Sequence, residues 1–495
     1  MTRSESERVE ERYAWRVLSV TSLGSMLTGL NSSTLDVGLP AVSRHFHASP
    51  SQASWILLSY MLVNTVLILV FGRLADILGR RQLYIAGLAI FTASSLGCGF
   101  APNPTALITL RATQAIGAAA IITNTTAQLV DVFPRRLVGL AVGLNVTVIS
   151  AAKVSGPIVG GAVVTALGWR WVFLFNVPVG VVGLAWAALT LRPGAPAAPK
   201  ERFDVAGAVI STAWLTSVVV MLTEGGARGW TNPLVLGAAT MSVVLFPVLV
   251  QLMRRRRDPL VDLALFRDRE RAMAFLATFL LALSRLALVL LMSLFLQAAQ
   301  GLDAFAAGLR VTPVAAGMML AAPLAGRLAA RISPQVLSTF GVGLTGSGLL
   351  VLAIGLTPTT GDLLIAFALL AVGLGTGFFL PPNTNSIMVS VGPASRGVAN
   401  GFRSMLQNTG GLVGTALALA IVTTPLDPAE KRAAYAGTLS RLPGRDIARF
   451  ADAYRVALLV LVGLCVAAGV ASSLRGPRRP TTSGQPDRTT AAVAD

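Results

Sequence analysis

The feature that most restricts the fold of this chain is a series of long apolar runs. A helix needs about 20 apolar residues to cross a hydrocarbon layer roughly 30 Å thick. Runs that meet this test, bounded by charged residues or by Pro and Gly, recur fourteen times. They lie at 15–40, 53–71, 82–101, 105–130, 136–166, 171–191, 204–224, 232–253, 272–299, 304–329, 334–356, 360–389, 394–424 and 452–474. The pattern predicts an all-α membrane protein with fourteen transmembrane helices.

Composition excludes most other classes of protein. Charged residues make up 13% of the 495 residues, against about 25% in a soluble domain. Too few polar side chains remain to cover a soluble surface, and the apolar content is too high for a disordered chain. Cys98 and Cys465 both lie in apolar runs, so a disulfide is not expected. The first fourteen residues are polar, and we expect no signal peptide.

The distribution of basic residues predicts the orientation. Of 40 Lys and Arg residues, 26 fall on the side of the predicted helices that carries both termini. Ten fall on the opposite side, and six of these lie in one long loop, which weighs less in the positive-inside rule. We therefore expect both termini in the cytoplasm. Topology also explains the net charge of +18, so binding to nucleic acid is not expected.

An internal repeat divides the chain. Residues 72–75 recur at 326–329, and the glycine-rich segment 155–160 has a counterpart at 409–414, both at a shift of 254. Repeats of this kind are typical of transporters, in which one half rocks against the other around a central site. The predicted divisions are a cytoplasmic tail (1–14), an N-terminal six-helix bundle (15–191), an inserted helix pair with cytoplasmic linkers (192–271), a C-terminal six-helix bundle (272–474) with an external loop (425–452), and a disordered cytoplasmic tail (475–495).

Four short motifs resemble those of the major facilitator superfamily. The sequence GRLADILGRR at 72–81 resembles its loop signature, and RATQ at 111–114 its intramembrane arginine motif. GPIVGG at 156–161 resembles the antiporter signature, and WRWVFLFNVP at 169–178 resembles the fourteen-helix drug:proton antiporter branch. The resemblance implies two six-helix bundles plus two inserted central helices, and export of drugs with antibiotic resistance as the phenotype. Export of a housekeeping metabolite fits the residues equally well.

The motifs contribute a set of residues with predicted conformational roles. Asp76 is expected in a tight turn, pairing with Arg80 or Arg81 to latch the halves. The small residues of helix 5 allow close helix approach, so the segment is a gate or hinge, or serves plain packing. The full conformational set is Gly72, Asp76, Gly79, Arg80, Arg81, Gly156, Pro157, Gly160 and Gly161.

Charged residues inside the predicted helices indicate the transport site. Inserting one at the bilayer centre costs about 2.5–3.5 kcal/mol of free energy, so such residues usually face the interior of the bundle and have a function. Arg111, Lys153, Arg285 and Arg403 lie within helices, and Asp36 is the one clear carboxylate. The acid that the family carries in helix 1 is here Asn31, which does not titrate. Asp36 is therefore the proton-coupling candidate, unless a fixed Arg holds it in a salt bridge. A second candidate is Glu224, at an external helix end.

The shift of 254 aligns Asn31 with Arg285, which places two cations near mid-membrane together with Lys153. The cavity is therefore expected to favour anionic or zwitterionic substrates. Alternatively, Asp36 and carbonyls hold Arg285 while Lys153 is deprotonated or reaches towards the surface. The predicted cavity set is Asn31, Tyr60, Asn64, Arg111, Asn124, Lys153, Arg285, Asn383 and Gln407.

These residues together predict a secondary transporter of the cytoplasmic membrane that exports small amphiphilic or drug-like compounds by proton antiport. The alternative within transport is an organic-anion or lipid translocator without proton coupling. An enzyme or receptor on the same scaffold is disfavoured, because the sequence has neither a metal motif, a nucleotide loop nor a catalytic triad. Expected partners are a small-molecule substrate, protons and membrane lipid, with no cofactor and no metal.

Overall fold

The structure is a computed structural model that describes residues 3–134, 137–192, 204–255, 268–329, 331–391, 396–441 and 444–475. These ranges form seventeen α-helices and a 3-10 turn at Leu439–Arg441. The helices are α1 (Arg3–Phe46), α2 (Pro50–Leu78), α3 (Arg80–Gly99), α4 (Pro104–Val132), α5 (Val138–Leu167), α6 (Trp171–Leu174), α7 (Asn176–Thr190), α8 (Val205–Arg228), α9 (Pro233–Arg255), α10 (Arg269–Arg285), α11 (Leu288–Ala298), α12 (Ala304–Leu328), α13 (Pro334–Gly355), α14 (Asp362–Val389), α15 (Arg396–Thr423), α16 (Pro428–Ala436) and α17 (Gly444–Ser473). The tail predicted to be disordered lies outside the described residues from 476 onward, and so does most of both linkers.

Within the described ranges, thirteen segments are long and apolar enough to cross a membrane. They coincide with thirteen of the predicted runs, and two of them combine consecutive helices, α6 with α7 and α10 with α11. The all-α membrane fold is confirmed. The count of fourteen is not, because α1 is absent from the thirteen. Its central stretch is rich in Ser, Thr and Gly, which lowers its hydropathy.

Two predicted helices are interrupted. The run at 171–191 breaks at Phe175, between α6 and α7. Pro178 explains this break, since a proline ring clashes with the carbonyl four residues earlier, that of Leu174. The run at 272–299 breaks after Arg285, close to its middle. A discontinuous helix at the level of a charged side chain is an arrangement that transporters use for binding sites.

Helix contacts repeat in two sets, which we call the N-terminal bundle (α1–α7) and the C-terminal bundle (α10–α15 with α17). In the N-terminal bundle, α1 packs on α5, while α4 packs on both α2 and α3. In the C-terminal bundle, α10 packs on α15, while α14 packs on both α12 and α13. The bundles meet through α5 with α12 and through α2 with α15, so the interface is also repeated.

The contacts change the register of the repeat in its first helix. Gly160 of α5 faces the backbone of Thr34, and Gly414 of α15 faces the backbone of Leu283. The two glycines are 254 residues apart, but the two residues that they contact are 249 apart. This register places Arg285 opposite Asp36 in the repeat, where the sequence alignment had placed Asn31. The shift differs because the stretch of chain between α1 and α5 is not equal in length to the stretch between α10 and α15.

The turn predicted around Asp76 is shorter than expected. Helix α2 continues to Leu78, and the chain reverses at Gly79, whose φ of 90° favours glycine. Asp76 therefore lies in the last turns of α2, not in a turn, because the apolar period continues through the motif. Its side chain is outside the described part of the structure.

The inserted pair α8–α9 lies against the seam between the bundles. Helix α8 packs on α2, on α15 and on α9. Its apolar face joins both bundles in one buried cluster, which includes Leu58, Leu62, Leu215, Val219, Leu412 and Ala416. The pair therefore does more than extend the chain, since it covers a junction where the bundles meet.

Candidate functional site

Four charged side chains from the two bundles are linked pairwise by electrostatic interactions, and we call them the central cluster: Asp36, Lys153, Arg285 and Arg403. Lys153 lies within electrostatic range of Asp36 and Arg285, and Arg285 within range of Arg403. Lys153 is exposed and the other three are half-buried. Because Asp36 and Lys153 belong to one bundle and the arginines to the other, the cluster faces the space between the bundles.

The central cluster has an excess of basic groups. Arg403 donates to the amide oxygens of Asn400, at 3.1 and 3.2 Å, and of Gln407, at 3.1 Å. These contacts orient the guanidinium and leave its charge uncompensated. Among the described residues, Asp36, Lys153 and Arg285 have neither a hydrogen bond nor an ion pair. Three basic groups and one acid are therefore available to bind solvent, protons or an anionic ligand.

Arg111 lies behind Asp36 in a closed polar network instead of lining open space. Its side chain is 1% exposed. It donates to Gln114 at 2.7 Å and to the carbonyl of Ile56 at 3.3 Å, and stacks on the ring of Tyr60 at 4.2 Å. Gln114 in turn bonds Asn31 at 3.3 Å. Three predicted cavity residues (Asn31, Tyr60 and Arg111) are thus brought together as a buried unit, whose charge acts on Asp36.

We expect Arg111→Leu to destabilise the protein, because Gln114 and the Ile56 carbonyl would lose a charged donor. Hydrogen bonds to charged groups contribute about 1.5–3 kcal/mol each, so the loss of two predicts a decrease in the free energy of unfolding of about 3–6 kcal/mol. Thermal unfolding can be followed with a thiol-reactive dye, since Cys98 and Cys465 are buried. The control is Arg310→Leu, whose ion pair with Asp362 is at the surface. Equal unfolding midpoints for the two variants would contradict the prediction.

The remaining predicted cavity residues are dispersed. Gln407 joins the central cluster through Arg403. Asn383 is 1% exposed and bonds Thr278 at 2.7 Å and also Arg475, near the end of the protein that carries the chain termini. Asn124 donates to a carbonyl of its own helix at 2.7 Å. Asn64 is 9% exposed on α2.

Glu224 lies far from the central cluster, at the end of α8. The carboxylate accepts hydrogen bonds from Ser51 at 2.6 Å and from Trp55 at 2.8 Å, and pairs with Arg228 at 2.6 Å. These contacts fix α8 to α2. The second proton-coupling candidate is therefore held by a cation and two neutral donors.

The predicted antiporter segment joins three helices. Gly156 faces Ser33 and Gly160 faces the backbone of Thr34, both on α1. Gly161 faces the backbone of Ala304 and Phe305 on α12, in the other bundle. Gly308 of α12 packs against the carbonyl of Pro157. The segment therefore provides close packing both within the N-terminal bundle and between the bundles.

The two arginines of the loop motif contact their own bundle. Arg80 pairs with Asp131 and donates to the carbonyl of Ala127 at 3.2 Å, both on α4. Arg81 donates to the carbonyls of Leu191 at 2.6 Å and Ala188 at 3.2 Å, at the end of α7, where cations favour the helix dipole. These contacts fix α3 to α4 and α7.

The bundles are joined at the end opposite the termini, which we call the far end. Helix α16 contacts the N-terminal bundle there, with Tyr435 bonding Ser54 at 2.7 Å and Arg44 donating to the carbonyl of Ala436 at 2.6 Å. Lys431 donates to the carbonyl of Gly226 of α8 at 2.8 Å. Burial raises the pKa of Tyr435 to about 12, so its hydroxyl stays protonated at neutral pH.

The buried apolar clusters also join the two bundles at the far end and not at the end that carries the termini. At the far end, one cluster includes Leu35 and Val172 from the N-terminal bundle and Leu291 and Val311 from the C-terminal bundle. Towards the termini the clusters are separate: one contains Leu129 and Phe133, and another Phe275 and Phe402. The structure is therefore closed at the far end.

Sequence reasoning missed several residues of the site. Arg403 is a charge within a predicted helix, but the predicted cavity set does not include it. Asn400 and Gln114 also carry hydrogen bonds that orient the charges. The sequence does contain a signal for both residues. Each is a polar side chain three residues from an intramembrane arginine, a spacing that places the two side chains on one helix face.

Comparison with known proteins shows the family of the chain. The model of the Major Facilitator Superfamily matches residues 21–415 and, separately, 274–494. The multidrug resistance protein Stp of Mycobacterium tuberculosis is 30% identical over 404 residues, which cover 81% of this chain and 74% of that protein. The tetracenomycin C resistance and export protein of Streptomyces glaucescens is 28% identical over 445 residues, which cover 89% of this chain and 82% of that protein.

The fold resembles that of solved transporters. A bacterial homologue of the human lysosomal transporter Spinster, in an inward-facing and unoccupied conformation, matches with a TM-score of 0.64. The match covers 94% of this chain and 97% of that chain, at 17% sequence identity. The chain therefore belongs to the major facilitator superfamily, and it is a multi-pass membrane transporter of small-molecule substrates, not an enzyme.

Proposed function

We propose that this protein is a proton-driven exporter of small amphiphilic or drug-like compounds in the cytoplasmic membrane, with both termini in the cytoplasm. With that orientation, the far end is the external side and the structure is closed to the outside. The proposal includes 15–191 and 272–474 as the two moving bodies, with the inserted pair between them.

The observation that carries the proposal is the position of Asp36. This carboxylate lies between the bundles without a hydrogen bond or ion pair among the described residues, near Lys153 and Arg111. An unpaired acid there can gain or lose a proton as access alternates. Protonation removes its attraction for the two basic groups, so the proton changes the balance of charges across the interface. Glu224 is less suited, because Arg228 already neutralises it.

Two further observations support the proposal. The relatives include proteins named for multidrug resistance and for tetracenomycin C export, and drug-like cargo follows from that likeness. The excess of basic groups in the central cluster supports a preference for anionic or zwitterionic compounds among such cargo. Arg285 and Arg403 supply donors on one side of the space, and Lys153 supplies one on the other.

The test is Asp36→Asn in proteoliposomes that contain a pH-sensitive dye. We expect compounds from a panel that includes tetracenomycin C to drive proton movement through the unsubstituted protein. Asp36→Asn should abolish this movement, because an amide does not titrate. Glu224→Gln is the matched control and should keep it. Full substrate-driven proton flux in Asp36→Asn would overturn the assignment of Asp36.

A second candidate function is an organic-anion or lipid translocator without proton coupling. The excess of three basic groups over one acid favours it, since such a site binds an anion whatever the state of Asp36. The two functions differ in one measurement. A translocator moves its substrate into proteoliposomes without any substrate-dependent proton flux, in the unsubstituted protein as well as in Asp36→Asn.

A further inference from the structure

A cavity lies near the central cluster, in the seam between the bundles. It has a volume of about 210 Å³ and an almost entirely apolar lining. Five helices contribute: α2 from the N-terminal bundle, α10 and α15 from the C-terminal bundle, and both helices of the inserted pair. The residues that define it here are Thr65, Ala208, Trp214, Met253, Phe279 and Leu406. We call it the seam pocket.

The seam pocket adjoins the basic part of the central cluster. Leu406 lies three residues after Arg403 on α15, so the two side chains are neighbours on the helix surface. Phe279 precedes Arg285 by six residues on α10, about 9 Å along the helix axis and on a different face, so Arg285 adjoins the pocket only through Arg403, which lies within its electrostatic range. A ligand with an acidic group on these arginines can therefore extend an apolar portion into the seam pocket.

The inserted pair forms the outer side of the pocket. Ala208, Trp214 and Met253 face it, while Val209 of α8 and Val243 of α9 are 61% and 72% exposed on the opposite side. The pair thus separates the pocket from the protein's outer surface. This arrangement favours a ligand that also contacts the central cluster over a lipid of the surrounding bilayer.

We propose that the inserted pair completes the substrate site: the seam pocket takes the hydrocarbon or aromatic portion of an acidic amphiphile whose anionic group lies against Arg403 and Arg285. This inference rests on the proposed function, and it names the substrate class. A volume of 210 Å³ equals that of roughly seven water molecules at about 30 Å³ each. The pocket therefore fits a short chain or one ring, and the acidic group remains outside it.

The test uses 8-bromooctanoate, a carboxylate whose terminal bromine quenches tryptophan fluorescence at contact. Because Trp214 lines the pocket, binding should quench its fluorescence, and Trp214→Phe should remove that part of the signal. Ala208→Phe fills the pocket and should weaken binding about tenfold or more, since several buried methylene groups contribute about 0.8 kcal/mol each. Val209→Phe, on the outer face of the same helix, is the matched control and should bind normally.

A second measurement needs only the unsubstituted protein. The shorter 4-bromobutanoate should bind about tenfold more weakly or worse, because it leaves most of the pocket empty. Quenching that does not depend on Trp214, or equal affinities for the two chain lengths, would overturn the proposal. Equal affinity for 8-bromooctanol would indicate an uncharged lipid chain as occupant and would overturn it as well.

The two proposals fail separately. Binding is measured without a pH gradient, so loss of proton-coupled transport in the earlier test leaves the quenching result unaffected. Conversely, absent quenching with intact substrate-driven proton flux refutes the seam pocket as a substrate subsite and leaves the exporter function standing.

Discussion

A leucine in place of Gly161 is expected to abolish transport while both bundles remain folded. A Cβ at this position would lie 2.5 Å from the carbonyl oxygen of Ala304 and 2.8 Å from the Cα of Phe305. Both contacts are backbone atoms of the other bundle, so a rotamer change does not relieve them. The far ends of the bundles must separate, and the state that is closed there becomes inaccessible.

Two measurements check this prediction. Transport in proteoliposomes should fall about 100-fold or more, which corresponds to a destabilisation of the closed state by about 3 kcal/mol, a usual cost of overpacking. Cysteines introduced by Ser54→Cys and Tyr435→Cys, whose native side chains bond across the far end, should be cross-linked by a flexible bifunctional reagent in the parent protein. The added Gly161→Leu should remove that cross-link.

The matched control is Gly143→Leu. Gly143 lies on the same helix α5, and a Cβ there would meet nothing within 4 Å. It should keep both transport and cross-linking, which excludes a general effect of leucine on α5. Normal transport by Gly161→Leu would show that the close approach of α5 and α12 is not needed for the cycle.

Hydropathy predicted most of the fold because the bilayer imposes a length and a composition on each helix. Runs such as 232–253 were recognised within a few residues of their helix, here Pro233–Arg255. Helix α1 shows the limit of this signal: the apolar run 15–40 predicts a helix there, but α1 extends over Arg3–Phe46 and its polar content keeps it out of the thirteen spans. The interruption after Arg285 was not predicted, since no proline or glycine precedes it.

The candidate site was harder to predict because it depends on contacts between distant helices. Charge inside a helix predicts a functional role for Lys153 and Arg285, because burying a charge in a membrane costs a large free energy. The same reasoning predicts a cavity position for Arg111, but its hydrogen-bond partners on α2 and α4 enclose it in a buried network. The seam pocket had no sequence signal, since its five helices are separated by long stretches of chain. Tertiary contacts alone distinguish a buried network from an accessible cluster.

Arg285→Gln is expected to lower the affinity for anionic ligands about 10–100-fold. Arg285 has neither a hydrogen bond nor an ion pair among the described residues, so its donors are available to a ligand. A hydrogen bond to a charged group contributes about 1.5–3 kcal/mol, and each 1.4 kcal/mol changes the dissociation constant about tenfold. Glutamine keeps a polar side chain there and removes the charge.

The measurement compares two fluorescent ligands of similar size, the anion dansylglycine and the cation dansylcadaverine. Arg285→Gln should weaken binding of the anion and leave that of the cation unchanged or stronger, because a repulsive charge is removed.

Arg310→Gln is the control, since it removes an arginine that Asp362 already neutralises at the far end. If the unsubstituted protein prefers the cation and Arg285→Gln binds both ligands as before, the basic excess of the central cluster does not select the substrate. In that case Asp36 would have to compensate Arg285 without a direct contact between the two side chains, and solvent screening makes that arrangement weak. Selection of anions by Arg285 is thus the simplest consequence of an unpaired guanidinium between the bundles.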